Sequence, residues 1–191
     1  MNPENRPQTN HMTTKAIVCS ALLAAISIVL ARFLSYAPFG SVRFSFDKFP
    51  LFLSGMFFGP LVGGMTGLVA DATGSMMQYG FNPILCPPAI LYGVFGGLFR
   101  YYIAKKPNAL RLAIAYVFPV IIGALLYQSF ALAYCFNPST FWEAAMTNLG
   151  ARSIQFAIIA PLEILLMTLL MKMRVFERIG IWPPAGWEGK R

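Results

Sequence analysis

Charge is scarce in this chain. Only 12% of its 191 residues are Asp, Glu, Lys or Arg, while 57% are apolar, and no soluble fold can hide that much apolar surface. Histidine is nearly missing: His11 stands in the polar stretch MNPENRPQTNHMTTK, which removes Ser/His, Cys/His and HExxH chemistry from the apolar part of the chain. Cysteine is sparse, and Cys19, Cys86 and Cys135 lie singly in apolar surroundings without a CxxC pair, so they read as packing residues and no metal or redox cofactor is expected. A GxxxxGKS/T loop is absent, which excludes ATP hydrolysis by that route. The two halves do not repeat one another, as those of many secondary transporters do. Acids are rarer than bases, 7 against 15, but no basic stripe interleaved with aromatics runs through a polar domain, and no nucleic-acid partner is expected.

What the chain has is length in its uncharged runs. Phe49 to Ala70, Ala72 to Phe99 and Leu112 to Trp142 each exceed the roughly 20 residues that carry a helix across a bilayer. Mean hydropathy is +0.61. Strands of an outer-membrane barrel would alternate over about 10 residues, and no run does so. The fold class expected is an all-α integral membrane protein. The polar residues 1–13 form a tail, and the first apolar segment, with no convincing small-residue cleavage site after it, is a retained helix rather than a signal peptide.

Basic residues set the number of crossings. Lys15, the Arg100/Lys105/Lys106/Arg111 group and the cluster after Met171 belong on the cytoplasmic side. A single helix over Phe49 to Ala70 would put the middle group outside. A break at Gly59-Pro60 avoids this, with Gly ending one helix and Pro opening the next. Six transmembrane helices follow, about Thr14–Leu34, Phe46–Phe58, Pro60–Met77, Pro83–Ala104, Arg111–Cys135 and Asn148–Met171, in a membrane domain over 14–175. Both termini are cytoplasmic, the second as a tail over 176–191, and the protein is multi-pass in the cell membrane.

Four cations violate this arrangement: Arg32, Arg43, Lys48 and Arg152 fall on the outer side. Either they snorkel to lipid headgroups or they receive an anionic ligand. Arg forks match carboxylates bidentately, and Phe44, Phe46, Phe49, Tyr79 and Phe81 can sandwich a flat heterocycle. Asp71, alone in a Gly-rich apolar helix, offers two oxygens to the adjacent N–H donors of an aminopyrimidine edge, or else pairs with Arg43 or Arg152. Gln78 and Asn82 border the same mouth. Glu163 reads as buried glue between helices. On the first helix, Ala16, Ser20 and Ala24 form one small-residue ridge and Ala21 with Ala25 its neighbour, suited to internal packing or to a docking subunit.

Four segments carry a resemblance: ALLAAISIVLARFLSYAP, VRFSFDKFPLFLSGMFFGPLVGGMTGLVADATG, FNPILCPPAILYGVFGGLF and ARSIQFAIIAPLEILLM. They resemble the substrate-binding S components of energy-coupling factor (ECF) vitamin transporters, folate-type. The resemblance implies a six-helix bundle, not itself an enzyme, that captures folate or a related anionic vitamin at its outer face. It implies a transmembrane coupling protein, EcfT, and two cytoplasmic ECF ATPases as partners in the bilayer. It makes the alanine ridge the docking surface, and Arg32, Asp71 and the Arg43-Phe44 loop substrate-site residues. The Asp47-Lys48 pair departs from the family's usual uncharged stretch there. A pterin edge suits Asp71, and a glutamate tail with two carboxylates suits Arg32, Arg43 or Lys48. An S component for another vitamin, a stand-alone secondary transporter, and a membrane enzyme or assembly factor are the competing readings.

Overall fold

A computed structural model describes residues 14–33, 36–39, 42–44, 46–77, 80–105, 108–173, 176 and 180–182. Helix α1 (Thr14–Phe33) leads into a hairpin of β1 (Tyr36–Phe39) and β2 (Val42–Phe44), then α2 (Lys48–Phe58), α3 (Pro60–Met76), α4 (Pro87–Leu98) and α5 (Arg100–Lys105). Helix α6 (Ala109–Pro119) runs through a wide π-helical stretch, Val120–Tyr127, into α7 (Gln128–Phe136), and α8 (Phe141–Lys172) closes the fold. Among the described residues, three stretches are long and apolar enough to cross a membrane: Thr14–Phe33, Ala109–Phe136 and Pro138–Lys172. The shorter α2, α3 and α4 pack among them.

The expected break at Gly59-Pro60 is present. Gly59 has φ 99°, a conformation that a Cβ disfavours, and Pro60 occupies the first turn of α3, where its missing N–H is no loss. The membrane bundle is all-helical, as expected; one boundary needs correction. The connection between α1 and α2 is a two-stranded antiparallel hairpin, with Tyr36 opposite Phe44 and Phe39 opposite Val42. Pairing the two strands satisfies backbone groups that would otherwise be bare at the end of an apolar bundle. The last helix begins at Phe141, not near Asn148, because the turn Pro138–Thr140 releases the chain directly into helix. At 1.5 Å per residue α8 is about 48 Å long, well beyond the roughly 30 Å hydrocarbon layer, so its first turns have no need to be apolar.

Helices α2, α3 and α4 make the tightest contacts in the molecule. Glycines allow it. A Cβ on Gly93 would overlap the backbone of Gly63, and one on Gly63 would overlap that of Gly55, so these helices touch main chain to main chain. A hydroxyl pair, Ser54 Oγ and Thr66 Oγ1 at 2.8 Å, links α2 to α3 in the same buried layer. The aromatic centre consists of Phe52, Tyr92 and Tyr116, all fully buried, with Phe52 edge-on to Tyr116 at 5.2 Å. Beyond α8 the chain returns to the Gly59 end, where Phe176 packs on Phe57 at 4.4 Å and Trp182 is buried beside it.

Candidate functional site

At the hairpin end, a cavity opens between α1, α2, α3, α7 and α8. Of the expected site residues it gathers Arg32, Lys48, Asp71 and Arg152, drawn from four helices. Each is held differently. Arg32 closes α1, and its Nη2 donates to the Gly74 carbonyl at 2.6 Å near the end of α3. Arg152 Nη1 donates to Gln128 Oε1 at 3.1 Å, across from α8 to α7. Lys48 Nζ pairs with Asp47 Oδ2 at 2.8 Å, which offsets its charge locally. Cys86 is buried at the start of α4. Three cations therefore face two carboxylates, and the two guanidiniums are each directed by a neutral acceptor rather than by an acid. A guanidinium has five N–H donors, so each retains capacity for an incoming carboxylate.

Several wall residues escaped sequence reasoning. Ser27, Ser75, Gln128 and Gln155 line the cavity. Ser27 Oγ donates to the Asp47 carbonyl at 2.7 Å and so joins α1 to the start of α2. Gln155 stands three positions after Arg152, on the same face of α8, a spacing that could have singled it out. Gln128 is an isolated side-chain amide in the long Leu112–Trp142 run. The π-helical turns just before it alter the angular spacing of the helix, and no residue pattern announces such a stretch.

Other expected residues lie elsewhere. Asn82 is absent from the cavity wall: its Oδ1 accepts from the Ile84 N–H at 3.1 Å, capping the turn Pro83–Leu85, while its Nδ2 donates to Cys135 Sγ at 3.6 Å. Phe46 and Phe49 are partly buried at the start of α2 and Phe81 is exposed, and none of the three is part of the wall. Arg43 and Phe44 fall on β2, whose side chains are outside the described residues, as are Gln78 and Tyr79. The small-residue surface of α1 is divided. Ser20 and Ala24 are buried against the bundle and Ala16 is half-buried, because this stripe is what lets α1 approach its neighbours; Ala21 and Ala25 remain exposed. Among the described residues no cluster of His, Cys, Asp and Glu suits a metal ion.

A polar, cation-bearing cavity at one end of an apolar bundle is the form of a membrane receptor for a charged solute, and a comparison with known families agrees. The family described as "ECF transporter, substrate-specific component" matches residues 15–178. The chain belongs to this family. This S component is thus a multi-pass protein of the cell membrane, from a family of transporter subunits rather than enzymes. It is similar to a protein named folate transporter FolT from Clostridium novyi (strain NT), 33% identical over 105 residues. That alignment takes in 52% of this chain and 57% of the relative, so the S component spans little more than half the length of the curated protein it matches. Among solved structures it resembles one described as a crystal structure of FolT bound with folic acid, with a TM-score of 0.65, 26% identity, and coverage of 82% of this chain and 92% of that one.

Proposed function

We propose that this S component is a high-affinity folate receptor of the membrane, crossing it six times with both termini in the cytoplasm, and that the cavity at the hairpin end faces outward. The observation that carries the reading is the convergence of Arg32, Arg152 and Asp71 on one cavity, in a fold similar over most of its length to a folic acid-bound structure. Folate presents two carboxylates and a flat ring with an aminopyrimidine edge. The guanidiniums match the first, and Asp71 matches the second. Delivery inward is assigned to partners, the coupling protein EcfT and two cytoplasmic ATPases, with the exposed Ala21 and Ala25 side of α1 as the contact surface.

The test is titration calorimetry on the purified protein without ATP. Folic acid is expected to bind, and Arg32→Ala to weaken it by about 1.5 to 3 kcal/mol, the scale of hydrogen bonds to a charged group. Heat from a different vitamin and none from folic acid would overturn the substrate while leaving the family membership in place. Folate uptake by the S component alone, in vesicles free of ATPases, would instead favour a stand-alone transporter.

A further inference from the structure

The end of the bundle away from the ligand cavity carries a second charged surface. Helix α2 starts on the cavity wall at Lys48 and ends beside Gly59, where an added Cβ would come within 3.0 Å of Arg100 Nη1, so the short α5 lies at the far end. Two arginines there lean on tyrosines. The Arg100 guanidinium covers the Tyr101 ring at 4.4 Å and donates to its hydroxyl. That of Arg111 covers the Tyr102 ring at 4.9 Å, and its Nη1 donates to the Tyr102 carbonyl at 3.1 Å. Both tyrosines and Lys105 are exposed. Among the described residues no acid pairs with these three cations: Asp47 and Asp71 line the ligand cavity, Glu163 is fully buried, and Glu143 is in the first turn of α8. A ring and one acceptor orient each guanidinium but leave most of its five N–H donors open, and a phosphate takes two of them side by side.

The surface next to this cluster is apolar and aromatic. Phe99 meets Tyr102 edge-on at 6.3 Å and stacks with Phe118 of α6 at 5.3 Å. Phe95, one turn back along α4, stacks with Phe99 at 6.3 Å and with Phe118 at 6.4 Å. Leu98, Ile114 and Phe118 are exposed along this strip. Phe118 belongs to the membrane-crossing stretch Ala109–Phe136, so the strip runs from the charged end into the hydrocarbon layer. Tyrosines at such a border keep the ring in the apolar layer and the hydroxyl in the polar one. A soluble partner would meet the guanidiniums alone, whereas a molecule with an anionic head and a hydrocarbon tail covers both parts.

We propose that the Arg100–Tyr101 and Arg111–Tyr102 pairs, with the strip of Phe95, Phe99 and Phe118, form a binding site for an anionic phospholipid. The guanidiniums hold its phosphate and an acyl chain runs along the rings. That the inner leaflet supplies this lipid rests on the orientation proposed above; the site itself does not. The test is native mass spectrometry of the full chain in detergent, titrated with phosphatidylglycerol or with phosphatidylcholine of the same acyl chains. The first phosphatidylglycerol should bind about tenfold tighter, on the scale of two basic residues at a membrane surface. With Arg100→Gln and Arg111→Gln together the preference should fall to about twofold or less, while Lys15→Gln with Lys172→Gln, which removes equal charge elsewhere, should keep it. Phosphatidylglycerol with a photoreactive acyl chain should label the parent protein within residues 95–118, a measurement that needs no variant to fold. No preference in the parent, or labelling spread evenly over the other helices, would overturn the site. If the preference survives loss of both arginines and co-purification with a partner protein is lost instead, the arginines belong to a protein interface and the proposal fails. Folic acid binding is read separately on the parent: its absence would sink the functional reading and leave the lipid site standing.

Discussion

Arg152 and Arg32 carry the same charge but owe their orientation to different partners, and this gives them different sensitivities. Arg152 depends on a side chain, Gln128, whereas Arg32 leans on a backbone carbonyl that no substitution at Gly74 removes. Gln128→Ala should therefore weaken folic acid binding by about 0.5 to 1.5 kcal/mol without touching a charge, and Arg152→Ala by about 1.5 to 3 kcal/mol. Arg152→Lys should recover little, since an ammonium cannot reproduce the fork. Calorimetric titration of the three variants orders them. The charged residues of the cavity were legible in the sequence because an ion at membrane depth is costly and stands out. Gln128, Gln155, Ser27 and Ser75 were not, because amides and hydroxyls occur in apolar helices for many reasons, and only packing decides which of them face the cavity.

At the scale of elements, glycine decides where helices stop and how near they come. Gly59 holds a backbone conformation closed to other residues, so Gly59→Ala should cost about 1 to 3 kcal/mol, read as a lowered thermal unfolding midpoint in detergent. Gly93→Leu should be worse and abolish folded protein, since the added side chain would start inside the backbone of α3; size-exclusion chromatography after extraction would register this as aggregation. The first of these breaks was predictable, because the distribution of basic residues demanded a turn near Gly59-Pro60 and the local chemistry supplied one. The early start of α8 was not, since counting apolar residues finds only the part of a helix that lipid covers. Nor was the hairpin, whose strands of four and three residues are too short to show a period. The π-helical turns leave no mark in residue types, yet they precede Gln128.

For the whole molecule, the main-chain contacts among α2, α3 and α4 have a mechanical consequence. Rods whose backbones already touch cannot slide past each other or part without opening a void, so they constitute a keel. Any breathing that admits cargo falls to α1, to the α6 and α7 rod, and to α8, which hold Arg32, Gln128 and Arg152 on the opposing walls. Spin labels placed across α3 and α4 should report one narrow distance whether or not folic acid is present. A pair across α1 and α8 should sharpen and shift when it is added. On the proposed reading, the guanidiniums that would hold the ligand stand on the walls that move, and capture and closure become a single event.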